Sequence, residues 1–157
     1  YEGVGMPTDR ESVFWLNVQE IPQTAKEDNV LQLAVRQRIK VFYRPTGLAG
    51  DPVKAPTRLQ WQLNQGAGKG LLRLTNPSLY HVTVVDAKVH VGSAEEPVID
   101  AKMIAPNSTV AVPVKLPAAG AGAPELRYDV INDYGGRQSY RVTLHSSQPS
   151  TPVSAGN

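Results

Sequence analysis

The chain has 157 residues, of which 41% are apolar and 19% charged, and its net charge is +2. That charge is too small to point by itself to nucleic acid or to a membrane surface, and no apolar run reaches the ~18–20 residues of a membrane-crossing helix. Zero cysteines exclude disulfides, thiolate metal sites and a cysteine nucleophile, but leave the redox compartment open, because a large enough core needs no disulfide. The length allows one domain or two small ones. Phe14, Leu16 and Val18 alternate with Trp15, Asn17 and Gln19, which predicts a strand ended by Pro22. Residues 23–29 are polar and charged and read as an exposed loop. Residues 31–45, LQLAVRQRIKVFYRP, predict one strand well beyond the usual length of about 5–6 residues. Leu31, Leu33 and Val35 share one of its faces, and Arg36, Arg38, Lys40 and Arg44 follow with no acidic residue among them. Two strands joined by a short loop predict a hairpin over residues 1–45.

Residues 46–52 are rich in Pro, Gly and Asp and read as a linker. Beyond it, alternation marks Leu59-Trp61-Leu63, Leu72-Leu74, His81 to Val91, Val98 to Met103, Val110-Val112-Val114, Leu126-Tyr128-Val130 and Tyr140-Val142-Leu144. Asp133-Tyr134-Gly135-Gly136 predicts a tight turn between the last two, because glycine tolerates positive φ. Seven short strands with turn signals between them predict an all-β, immunoglobulin-like sandwich over residues 53–147. Residues 148–157, rich in Ser, Pro and Gly, read as a disordered tail. There is no sustained helical periodicity and no internal repeat.

Enzyme signals fail one by one. Residues 66–70, GAGKG, do not meet the phosphate-loop spacing GxxxxGK[ST] and read as a hairpin loop. His81, His90 and His145 are too scattered for a metal site, and no nucleophile elbow such as GxSxG is present. Asn107-Ser108-Thr109 spells a glycosylation sequon, a pattern common by chance. The expectation is no enzyme, no metal and no cofactor.

Three segments together are specific: residues 9–22 (DRESVFWLNVQEIP), the long strand 31–45, and residues 131–136 (INDYGG). Over nearly the whole chain this combination resembles the periplasmic chaperones of chaperone–usher pilus assembly, the PapD-like family. The resemblance implies two immunoglobulin-like domains. Residues 9–45 would be the last two strands of the first and residues 53–146 all of the second, so the chain would be a fragment lacking its first strands and export signal. It implies a periplasmic location and, as partners, pilus subunits that lack their final strand and an outer-membrane usher, with no nucleic acid and no membrane insertion. Unpaired edges in the first domain would favour self-association or strand swapping.

The same resemblance implies roles for particular residues. Leu31, Leu33 and Val35 would enter the subunit's groove by strand addition, whereas pattern alone more often places such residues in their own domain's core. Lys40 would hold the subunit's C-terminal carboxylate. It has the opposite parity from the three donors, which a bulge, a twist or the geometry of the cleft must reconcile. The family's second anchor, an arginine on its first strand, has no counterpart here. Glu11, Arg44 and Asp133 would form an interdomain charge cluster, one guanidinium bridging two carboxylates. The short 23–29 loop resembles the subgroup that mostly assembles rod-like pili. Two other classes stay open: a nucleic-acid-binding β-protein using Arg36, Arg38, Lys40 and Arg44, for which residues 30–41 offer no stacking aromatic, and a structural or adhesive immunoglobulin-like module.

Overall fold

The computed structural model describes residues 5–23, 31–66, 69–115, 123–145 and 148–156. They belong to two compact units, Tyr1–Gly47 and Leu48–Asn157.

The first unit is a hairpin. Strand β1 (Ser12–Gln19) pairs antiparallel with β2 (Arg36–Tyr43) in one unbroken register from Ser12↔Tyr43 to Gln19↔Arg36. Alternation puts Phe14, Leu16, Val18, Ile39 and Val41 on one face, where each is 43–51% exposed. Val13, Trp15 and Asn17 face the same side as Phe42, Lys40 and Arg38. The long strand expected from Leu31 is shorter, since β2 begins at Arg36. The last backbone bond runs from Glu20 N to Val35 O at 2.9 Å. Continuing that register would set Leu33 against Pro22, which has no N–H to give. Gln32 still donates its side-chain amide to the Gln23 carbonyl, so the chain keeps running alongside its neighbour. The rest of the loop expected at 23–29 lies outside the described residues.

The second unit is a sandwich of two antiparallel sheets. A three-stranded sheet has the order β3 (Gln60–Gly66), β4 (Lys69–Asn76), β7 (Ser108–Val114). A five-stranded sheet is built from β5 (Val82–Val91), β6 (Ala94–Ile104), β8 (Glu125–Ile131), β9 (Arg137–Thr143) and β10 (Val153–Ser154), in the order β10-β9-β8-β5-β6. The seven expected strands are all present, and the all-β, immunoglobulin-like reading holds. Their inward residues form one core, in which Trp61, Leu72, Leu74, Val84, Leu126 and Tyr140 are at most 1% exposed. Full burial of such a side chain contributes roughly 1.5–3 kcal/mol, which is why strict alternation fixes the register. Trp61 donates its indole N–H to Tyr128 Oη at 3.2 Å, and Tyr128 stacks on Tyr140 with centroids 5.6 Å apart.

Two elements were not expected. A 3-10 helix, Pro52–Arg58, starts where the Asp51 carboxylate accepts from Val53 N at 2.9 Å, and it buries Ala55 and Pro56. One short helix offers too few turns to show a helical period. The predicted disordered tail is instead paired at both ends. Ser150 exchanges backbone hydrogen bonds with Trp61 at 2.8 and 2.9 Å, and β10 lies on the edge of β9. Its composition signals no core of its own, yet pairing with an existing edge needs only backbone groups.

Candidate functional site

Leu31, Leu33 and Val35 are 82%, 70% and 53% exposed. They lie just before the β1–β2 ladder, and residues 31–34 pair with no strand among the described residues. Three apolar side chains at every second position, with unladdered backbone between them, form an open apolar edge.

Beyond this edge comes a basic face. Lys40, half-buried, sits opposite Trp15 in the ladder, with Nζ 5.5 Å from the ring centroid. The Arg38 guanidinium carbon lies over the same ring at 4.0 Å, within cation–π range. Trp15 was read in the sequence only as a strand residue alternating with Phe14, Leu16 and Val18. The missing signal was the hairpin register, which sets it across from the cations. It also supplies the aromatic that residues 30–41 lack. The parity difference between Lys40 and the leucines stands, because the ladder from Arg36 to Tyr43 contains no bulge.

Glu11 and Arg44 come together at the other end of the hairpin. Arg44 Nε donates to Glu11 Oε2 at 2.5 Å, and the Glu11 side chain is 1% exposed against 33% for Arg44. A buried carboxylate is tolerable in this state because a guanidinium meets it. Asp133 lies in the second unit, in the turn between β8 and β9. There Asn132 Oδ1 accepts from Tyr134 N and Gly136 N at 3.0 and 2.8 Å, and Gly135 takes φ +78°. The predicted tight turn is formed, and Asp133 is exposed on it.

No group of three or more metal-ligating side chains occurs among the described residues. No helix among them is long and apolar enough to cross a membrane. Where titrating groups are shifted, the causes are local: a hydrogen bond between Lys88 and Glu95 raises the lysine and lowers the carboxyl. Burial pushes the Tyr128 phenol far above its ordinary range.

Residues 54–142 match the model of the C-terminal domain of the pili assembly chaperone PapD. Residues 1–49 match that of the pili and flagellar-assembly chaperone PapD N-terminal domain. The chain belongs to the PapD-like family of pilus chaperones. Among its relatives, the chaperone YadV of Escherichia coli K12 is 42% identical over 136 residues, covering 83% of this chain and 55% of its own. The chaperone protein FimB/FhaD of Bordetella pertussis is 38% identical, over 91% of this chain and 57% of its own. The crystal structure of YadV superimposes with a TM-score of 0.72, covering 91% of this chain and 67% of that one. That of the Pseudomonas aeruginosa CupB2 chaperone gives 0.71 at 32% identity, covering 92% and 64%. The chain thus spans about half the length of the curated relatives it matches.

Proposed function

We propose that this chain carries the subunit-binding strand and second domain of a periplasmic chaperone. Such a chaperone captures pilus subunits lacking their final strand and delivers them to an outer-membrane usher. The carrying observation is the open edge of Leu31, Leu33 and Val35, exposed at alternate positions in a chain of the pilus-chaperone family. Strand addition uses backbone hydrogen bonds for affinity and alternate side chains for specificity. Lys40, held against Trp15, takes the subunit's terminal carboxylate and so fixes register. Glu11, Arg44 and Asp133 set the angle between the domains and do not touch the subunit. The protein acts by binding, with no catalysis and no cofactor.

Capture of a pilus subunit lacking its last strand tests this reading. Leu33→Asp should weaken capture at least ~10-fold, the loss expected when one buried leucine goes. Lys40→Ala should weaken it less and loosen register. Equal capture by parent and both variants, or equal capture of a subunit whose own fold is complete, would overturn the proposal.

A further inference from the structure

The hairpin register sets Arg36 opposite Gln19, Arg38 opposite Asn17 and Lys40 opposite Trp15. All six lie on one side of the two-stranded sheet, because directly opposite residues and residues two apart share a face. Successive side chains in such a row stand about 6.6 Å apart. Arg36 and Arg38 are exposed, and Lys40 is half-buried. In the same unit Arg10 meets Asp9 and Arg44 meets Glu11, but among the described residues no carboxylate meets Arg36, Arg38 or Lys40. Arg38 and Lys40 both lie against the Trp15 ring, with the guanidinium carbon 4.0 Å and Nζ 5.5 Å from its centroid. The ring steadies the two cations without neutralising them. Among the described residues β2 has β1 as its one neighbour, so its other edge is open.

We propose that this open edge selects an acidic strand. The strand added to β2 carries carboxylate side chains at alternate positions facing Arg36 and Arg38, ahead of the terminal carboxylate on Lys40. This selection rests on capture by strand addition and names the kind of strand captured. Opposite charges directly across a strand pair stabilise it, and like charges destabilise it. A second copy of the chain is therefore the wrong partner here. Pairing β2 antiparallel with its own copy about Arg38 would set Arg38 opposite Arg38 and Arg36 opposite Lys40. Nucleic acid would use the charges but leave the exposed Leu31, Leu33 and Val35 without a role. A polypeptide strand uses both, since its side chains alternate faces with the same two-residue repeat as the edge. The opposite parity of Lys40 and the leucines then has a function: one strand presents an apolar face and, just beyond it, a cationic one.

The test uses two synthetic peptides that alternate leucine with a polar residue and end in a free carboxylate. One has glutamate at the polar positions and the other glutamine. Binding of each to the full chain is measured at low and high salt. The glutamate peptide should bind about 10-fold tighter at low salt, the reach of two or three opposite-charge cross-strand pairs, and the gap should close as salt rises. Arg36→Gln with Arg38→Gln should close it at low salt by weakening the glutamate peptide alone. Trp15→Leu should narrow the gap and Trp15→Phe should restore it, since a phenyl ring keeps a face for the cations. Equal binding of both peptides by the parent would reduce the cations to charges that keep copies apart, and would overturn the proposal while leaving capture intact. A preference that survives the double arginine variant would overturn it too, by placing the selection elsewhere. If Leu33→Asp leaves binding of the glutamine peptide unchanged, capture through the apolar edge falls, and the selection with it. Tighter binding of a single-stranded oligonucleotide than of the glutamate peptide would assign the edge to nucleic acid and overturn the proposal as well.

Discussion

Asn76 shows how one polar residue can hold two loops and a strand end. It is fully buried, and its Nδ2 lies 2.8 Å from Tyr80 O, 3.1 Å from Ala105 O and 3.3 Å from Ile104 O. Its Oδ1 accepts from Ser78 N at 3.0 Å and Ser78 Oγ at 2.7 Å. A buried polar group left without its partner costs about 1–3 kcal/mol, and Asn76→Ala strands several at once. Chemical denaturation should show a loss of about 3 kcal/mol. Asn76→Asp should cost more at neutral pH than in mild acid, because its carboxylate oxygens would face three carbonyls. A loss below about 1 kcal/mol for the alanine variant would mean that water or loop movement satisfies those groups. The second residue-scale expectation concerns Tyr128. Burial, partly opposed by the bond from Trp61, raises its pKa well above 10. Below pH 10 the phenol is protonated in both folded and unfolded chains, so stability is complete there. Above it the unfolded phenol ionises first, and stability falls by about 1.4 kcal/mol per pH unit for this group until the folded phenol also ionises. Burial shifts Tyr140 in the same direction. Tyr128→Phe should flatten the decline between pH 10 and 11, although it leaves the Trp61 N–H without its acceptor. An unchanged slope would assign the alkaline loss to other groups.

At the scale of elements, what the sequence disclosed depended on period. Strands with one buried face announce themselves, as Leu59-Trp61-Leu63 and Leu126-Tyr128-Val130 do, because a one-residue slip would expose every inward side chain. The turn at Asn132 to Gly136 was legible from its glycines. The start of β2 was not. Alternation at Leu31, Leu33 and Val35 continues past the point where pairing stops, since side-chain pattern records faces and not hydrogen-bonded neighbours. The tail failed for the complementary reason: its pairing at Ser150 and Val153–Ser154 is made of backbone, which composition does not encode. The 3-10 helix rests on a cap at Asp51 and a proline start, too brief for any period. At the candidate site, the residue types of the apolar edge were legible, whereas Glu11 and Arg44 were singled out only through the family resemblance and would otherwise read as surface charges. Trp15 beneath Arg38 and Lys40 was not, because a cross-strand neighbour exists only once register is known.

Over the whole molecule the two units are unequal in what they bury. The second closes a core of more than a dozen apolar side chains between two sheets. The first has two strands among the described residues, and its Phe14, Leu16, Val18, Ile39 and Val41 face carries exposures of 43–51%. Two strands alone are marginal in water, and a contiguous apolar face of this kind is an interaction surface. In the 157-residue chain that face should therefore draw in a second copy. Sedimentation should show association that tightens with concentration. Amide exchange in β1 and β2 should be fast in dilute solution and slow as the concentration rises, while the β5 and β8 amides stay protected throughout. Phe14→Ser with Val41→Ser should abolish the concentration dependence without touching the protection of β5 and β8, because neither side chain belongs to the second core. A concentration-independent monomer with a well-protected hairpin would show that the apolar face is satisfied within one chain, and the expectation of self-association through the first unit would fall.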